Sequence, residues 1–358
     1  MDERDIISLL RRLVEVESPT GDPGVREAAE LMASELRALG AEVRFLGDHV
    51  RAELPGEGAP LLLLGHTDTV WQLGTLEDMP FGVEDGIARG PGVYDMKGGL
   101  TILVAALHRA GPARRAVRVF LTADEEQGSR TAKPLLEEAA QGAAAAFVLE
   151  PALPGGGLKT ARKGLGRFWL EVGGRAAHSG TSSHEGASAI EELARQVIRL
   201  HELNDPQRGI SVNVGVIAGG TWANVIAAEA KAEIDVRVSR AADVPRVEFA
   251  LAALEPSVPG TTLAWSGGWT RPPLERSEGA AKLFARAREH GRRLGLDLEE
   301  GSSGGGSDGN LVGAVGVPVL DGLGPVGGGA HAQDEHVVVA SLPRRADLLA
   351  RMLEDPGI

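Results

Sequence analysis

The chain has 358 residues, 43% hydrophobic and 24% charged, with no cysteine and a formal net charge of −13. That length accommodates two domains; the missing cysteine excludes disulfides and thiolate metal sites, and the acidic balance excludes a general binder of nucleic acid or of a membrane surface. No apolar run approaches the roughly 20 residues of a membrane span, and "MDERDIISLL" has acids where a signal peptide needs a basic region, so the expected location is the cytoplasm.

Apolar residues at helical spacing in "RDIISLLRRLVEV" and "GVREAAELMASELRALG" predict two helices, the second stopped at Gly40. "AEVRFL" and "VRAEL" alternate like a hairpin. "PLLLLGHTDTV" is a continuous apolar run ending in polar residues, the pattern of a strand buried on both faces. "KGGLTILVAALHRAG" reads as a buried helix, and "RAVRVFLTADEE" and "AAAAFVLEP" are two further apolar runs that end in acids. Strand, helix, strand, helix, strand predicts an α/β sheet covered on both faces.

The texture changes near residue 164. "GRFWLEVGG", "ISVNVGVIAGG" and "AEAKAEIDVRVS" alternate with period two, as half-exposed antiparallel strands do. Between them lies the helical "GASAIEELARQVIRLHEL", and after them the helical "VPRVEFALAALEPSV" and the strand "TTLAWSGG". That order suits a small α+β domain with helices on one face. The helix "GAAKLFARAREHGRRLG" and the run "VGVPVLDGLGP" return to the α/β texture, and "GSSGGGSDGN" reads as a loop. The expected organisation is one discontinuous α/β domain, 1–164 and 273–358, interrupted by a smaller α+β domain, 165–272.

Five polar clusters follow apolar runs: "GHTDTV", "GPGVYDMKGG", "TADEEQGS", "VLEP" and "GGGAHAQDEH". Ligands of open α/β sheets bind beyond the carboxyl ends of the strands, where clusters dispersed in sequence converge. Their inventory is His66, Asp68, Asp95, Glu125, Glu126, Glu150 and His331. Imidazole and carboxylate without thiolate suits zinc, with cobalt or manganese as substitutes. Two histidines with three carboxylates exceed one catalytic zinc and suffice for two metals sharing a carboxylate. Any one cluster alone reads more readily as a hydrogen-bonded or solvated turn; the weight lies in their joint occurrence at successive strand ends. "GGGSDG" and "GLGPVG" fit G-x-G-x-x-G but lack the βαβ context of a dinucleotide fingerprint, and no P-loop occurs.

In this order the clusters resemble the dinuclear zinc peptidase and aminoacylase family, which includes acetylornithine deacetylase, succinyl-diaminopimelate desuccinylase and bacterial glutamate carboxypeptidase. "GPGVYDMKGG", "TADEEQGS" and "GGRAAHSG" resemble the glutamate carboxypeptidase branch most. The resemblance implies a zinc-peptidase-like catalytic domain with a mixed, mostly parallel sheet, and an inserted lid and dimerisation domain that makes a homodimer. It implies two Zn²⁺, one on His66 and Glu150, the other on Glu126 and His331, with Asp95 bridging them and the Asp95–Met96 peptide cis. Glu125 would be the general acid/base, Asp68 the partner of His66, and His178 a donor to the oxyanion. Asn224, Arg237, Gly305, Gly306 and Ser307 would bind a substrate carboxylate. Ala227 stands where many relatives carry proline. The implied activity is hydrolysis of an amide or peptide bond to an amino acid with a free carboxylate, as in a carboxypeptidase releasing C-terminal glutamate. The alternative is an N-acyl amino acid deacylase. The implied partner is a small-molecule or peptide substrate.

Overall fold

The computed structural model describes residues 1–111 and 114–358. The chain separates into two compact units, one of residues 1–161, 276–303 and 307–358, the other of residues 162–275 and 304–306.

The larger unit is built on a six-stranded sheet. Its order is Glu42–Leu46, His49–Leu54, Arg115–Thr122, Glu57–His66, Ala145–Val148 and Val319–Leu320. The first two strands form the expected hairpin, and the second runs antiparallel to Arg115–Thr122. The remaining pairings are parallel. The sheet is therefore mixed and mostly parallel, as the resemblance implies.

The central strand Glu57–His66 has both faces covered. Leu61 and Leu63 join a core with the helices Glu3–Val14, Pro23–Ala38, Gly98–Arg109, Glu278–Arg293 and Ser341–Glu354. Leu62 and Leu64 are also buried and point to the opposite side, since successive strand residues alternate. There the helices Lys133–Ala140 and Asp308–Ala314 pack on each other and on the sheet. This explains the unbroken leucine run: neither face of the strand meets water. Burial of ten consecutive residues from Gly98 to Leu107 likewise explains a helix without a polar stripe.

Parallel register fixes where the polar clusters emerge. His66 pairs with Thr122, and Leu64 with Val148. His66, the turn after Thr122 and Glu150 thus leave the sheet at the same edge.

Two elements escape the sequence patterns. "GSSGGGSDGN" is not simply a loop: Glu300–Ser303 is a strand, and Ser307 caps the helix Asp308–Ala314 by accepting Gly309 N–H at 3.1 Å. A second sheet joins Gly327–Gly328, His336–Val338, Ile87–Arg89 and Gly82–Glu84. Its strands of two or three residues are too short to carry a period.

The smaller unit is an antiparallel sheet in the order Ser211–Gly219, Glu229–Val238, Gly164–Gly173 and Thr262–Arg271. One face is apolar, with Leu170, Val172, Ile234 and Val236 packed against Leu193 and Leu200 of the helix Ala189–His201 and Val247 and Leu251 of Val244–Ala252. Strict alternation along Gly164–Gly173, buried on even residues, is the signature of a sheet with one covered face.

Candidate metal centre and active site

His66 closes the central strand and is 2% exposed. Its Nε2 lies 3.3 Å from Asp95 Oδ1 and 3.6 Å from Glu150 Oε1. On the other side of Asp95, His331 Nε2 lies 3.4 Å from Asp95 Oδ2 and 3.5 Å from Glu126 Oε2. Each oxygen of Asp95 therefore faces its own imidazole and carboxylate. Charge-assisted N–H···O bonds are shorter, about 2.7–2.9 Å. Ligands about 2.0–2.2 Å from a tetrahedral zinc sit about 3.3–3.6 Å from one another, the spacing found in both sets.

The electrostatics point the same way. Burial would lower the His66 pKa, but Asp68, Asp95 and Glu150 together raise it well above the ordinary value. Asp95 and Glu126 push His331 up to about 10. Burial would raise Asp95, yet the two imidazoles hold its carboxyl well below the usual range. Burial raises Glu126, and the neighbouring Asp95 charge adds to it against the pull of His331. Oε1 of Glu126 is buried without a hydrogen-bond partner among the described residues. Three carboxylates in so small a space call for positive charge, and a pair of divalent ions fits the donors present.

Asp95 is held from behind. Asp95 lies in the segment Val93–Lys97, and its peptide to Met96 is cis. Glu335, fully buried, accepts N–H from Gly92 at 3.0 Å, Tyr94 at 2.9 Å and Asp95 at 3.0 Å, and the Trp71 indole N–H at 2.7 Å. Its pKa is raised by burial, against the pull of these donors. Sequence reasoning missed Glu335. Its only signal was a place four residues after His331 in "HAQDEH". Gly99, in the first turn of the helix Gly98–Arg109, lets that helix approach the segment bearing Glu150, because a Cβ there would collide with the Leu149 carbonyl oxygen.

Glu125 and Glu126 begin the short 3₁₀ turn Glu125–Gln127. Asp68 Oδ1 accepts the Glu125 N–H at 3.2 Å and Oδ2 the Glu126 N–H at 3.1 Å, with Thr20 Oγ1 donating to Oδ2 at 2.7 Å. His66 Nδ1 lies 2.9 Å from the Asp68 main-chain oxygen and 3.3 Å from its Oδ1. Asp68 thus ties the histidine to the acidic turn. Asp124, which the crowding of acids suggests is solvated, is instead anchored: its Oδ2 accepts the Thr131 N–H at 2.7 Å, and its Oδ1 is buried.

The sequence profile of peptidase family M20/M25/M40 matches residues 62–355. The chain belongs to this family. The match spans all five polar clusters, and with it the chain is a metal-dependent hydrolase. Among curated relatives, this M20 chain is 31% identical to carboxypeptidase G2 of Pseudomonas sp. (strain RS-16), over 98% of its own length and 89% of the relative's. It is also 31% identical to succinyl-diaminopimelate desuccinylase of Xanthomonas oryzae pv. oryzae (strain PXO99A), over 98% of each chain. Its fold superposes on a tripeptidase from Staphylococcus aureus subsp. aureus mu50 with a TM-score of 0.85 and 21% identity, covering 100% of this chain and 99% of that one.

The remaining sequence candidates of the M20 chain fall into separate places. In the smaller unit, His178 is exposed and its Nδ1 accepts N–H from Gly180 at 3.1 Å and Thr181 at 3.2 Å. Its ring proton therefore sits on Nε2, ready to donate. Asn224 stands beside it, its main-chain oxygen accepting the Ser179 N–H at 3.0 Å. Elsewhere in that unit, Arg237 binds Asp235 through Nε at 2.8 Å and the Gly304 carbonyl through Nη1 at 2.8 Å. Arg162, absent from the sequence candidates, donates to the carbonyls of Gly305 at 3.1 Å and Gly306 at 2.9 Å. Ser307 is in the larger unit and fully buried, with its hydroxyl donating to Asp321 at 2.7 Å.

Proposed function

We propose that the chain is a dinuclear zinc hydrolase of an amide or peptide bond to an amino acid bearing a free carboxylate. Its best reading is a carboxypeptidase releasing C-terminal glutamate or a similar residue. The observation that carries this is the pairing of each Asp95 oxygen with a separate histidine–carboxylate set. His66, Asp95 and Glu150 would hold one ion, and Glu126, Asp95 and His331 the other. When bound, the ions would make water acidic enough to supply hydroxide near neutral pH and would polarise the scissile carbonyl. Glu125, adjacent to a ligand but outside both sets, takes the water's proton and passes it to the leaving amine. Asp68 fixes the His66 ring and, through its bonds to the Glu125 and Glu126 N–H groups, the position of that carboxylate. His178 donates from Nε2 to the oxyanion, and removing one such donor typically costs about 3–4 kcal/mol. Arg237 and Asn224 bind the substrate carboxylate together with Gly305 and Gly306. Ser307 acts by capping the helix that follows this loop.

The 31% identity to carboxypeptidase G2 supports the carboxypeptidase reading, and equal identity to the desuccinylase supports the alternative, an N-acyl amino acid deacylase. A panel of glutamyl peptides and N-acyl amino acids, with amine release measured, separates the two. The smaller unit would be the lid and dimerisation domain of a cytoplasmic homodimer. Its edge strand Ser211–Gly219 exposes Val216 and Ile217, and Trp222 beyond it is 76% exposed, as a pairing surface requires. Glu125→Ala is expected to abolish turnover with two metals still bound; turnover at the wild-type rate would refute the mechanism.

A further inference from the structure

The segment 122–131 carries Glu125 and Glu126, and its outer side is tied by groups that take no part in the metal centre. The Ala123 N–H donates to His49 Nδ1 at 3.0 Å. Across the ring, His49 Nε2 lies 3.1 Å from Thr131 Oγ1. Thr131 Oγ1 in turn lies 2.8 Å from Asp124 Oδ2, which also accepts the Thr131 N–H at 2.7 Å.

Chemistry fixes the direction of every bond. An amide N–H only donates, so His49 Nδ1 accepts and carries no proton. The ring proton is therefore on Nε2 and is donated to Thr131 Oγ1. The threonine hydroxyl then has its own proton to give to the Asp124 carboxylate. The path starts at the backbone of residue 123 and returns through His49 and Thr131 to the side chain of residue 124.

His49 itself is immobilised. It is 5% exposed, and its ring stacks on Phe120 with centroids 6.2 Å apart. Between the two ends of the path the chain reverses through Gly128 at φ +89 and Ser129 at φ +54. Ser129, unlike glycine, holds the left-handed region only where neighbours over-determine it. Ser129 N–H supports it by donating to the Asp124 carbonyl at 2.8 Å. On the inner side, Asp68 holds the Glu125 and Glu126 N–H groups at 3.2 and 3.1 Å.

We propose that His49, Thr131 and Asp124 form a closed relay that fixes the acidic turn, making them positioning residues for Glu125 and Glu126. The proposal rests on the reading of Glu125 as the proton-transfer carboxylate. Of the three acids that crowd the strand end, Asp124 then has a task distinct from those of its two neighbours. With the relay cut, the turn would keep Asp68 and its own backbone bonds, such as Ser129 N–H to the Asp124 carbonyl, but lose its side-chain tie to His49. A reacting group displaced by about 1 Å costs on the order of 10²-fold in rate.

The test uses the zinc-loaded full chain with Thr131→Val, Thr131→Ser and Glu125→Gln. Thr131 is exposed, so valine replaces the hydroxyl without opening a cavity. Thr131→Val is expected to lower kcat by roughly 10- to 100-fold, with KM within about twofold and metal content unchanged. Amide hydrogen exchange over 123–131 is expected to quicken in both the metal-free and the zinc-loaded protein. Thr131→Ser keeps the hydroxyl and is expected to restore both rate and protection. A Thr131→Val enzyme with kcat within about twofold of wild type, or a serine variant that restores nothing, overturns the relay. Glu125→Gln separates the two readings: if it is dead while Thr131→Val is fully active, the relay alone fails. If Glu125→Gln turns over normally, the assignment beneath the relay fails with it.

Discussion

Replacing Glu335 by glutamine removes one acceptor atom from a buried group that serves four donors. The carboxylate divides them evenly: Oε1 takes the N–H of Tyr94 and Asp95, and Oε2 takes Gly92 N–H and the Trp71 indole. A glutamine keeps one oxygen and turns an NH₂ toward the other two donors. Hydrogen bonds to charged groups contribute about 1.5–3 kcal/mol each, so two lost bonds amount to about 3–6 kcal/mol. Burial raises the pKa of Glu335, so neutralising the side chain returns part of this. The net cost is about 2–4 kcal/mol, or about 5–15 °C in Tm for a unit of this size. Because Asp95 and its neighbours Gly92 and Tyr94 all hang on this carboxylate, metal affinity should fall about 10- to 100-fold, as when support behind a ligand is removed. Thermal denaturation of the metal-free protein and competition titration with a zinc chelator measure the two effects. A Glu335→Gln protein with wild-type Tm and wild-type zinc affinity would refute the reasoning.

Glu192 in the smaller unit accepts the N–H of Ser257 at 2.7 Å and of Val258 at 2.6 Å, with Thr261 Oγ1 at 3.1 Å. Burial would raise its pKa, but Gln196 and these donors outweigh it and the pKa is lowered. A lowered carboxylate contributes stability above its unfolded value and loses it as pH falls through the folded value. Glu192→Gln should therefore reduce Tm at pH 7, and the gap to wild type should close as Tm is followed down below about pH 4; a gap constant with pH would contradict this. Gly99→Ala should cost about 1–3 kcal/mol by overpacking against Leu149, and should weaken zinc binding through Glu150; Tm and zinc titration check both.

The α/β class and the smaller α+β portion were legible because burial writes itself into periodicity. Continuous leucine marks a strand covered on two faces, and alternation marks one covered on a single face. The clustered histidines and carboxylates stood out for a related reason: charged groups directly after such runs surface together at one sheet edge. The clusters offered His66, Asp68, Asp95, Glu125, Glu126, Glu150 and His331; the family resemblance singled out His66, Asp95, Glu126, Glu150 and His331 among them, and the structure brings these five together. The groups that hold them could not. Trp71 and Glu335 meet across 264 residues of chain, and His49 and Ala123 across 74. Nothing local distinguishes a buried carboxylate with four donors from a solvated one. Glycine-biased composition hid the strand and the capped helix on either side of Gly304–Gly306. Strands of two and three residues left no pattern to read.

The central claim is that Asp95 joins two metal ions. Zinc titration of metal-free protein, followed by anomalous diffraction at the zinc edge, tests it most directly. The account predicts two ions per chain, about 3.5–4 Å apart, each contacting a different oxygen of Asp95. A single ion at saturation, or two ions with Asp95 bound to only one, would contradict it.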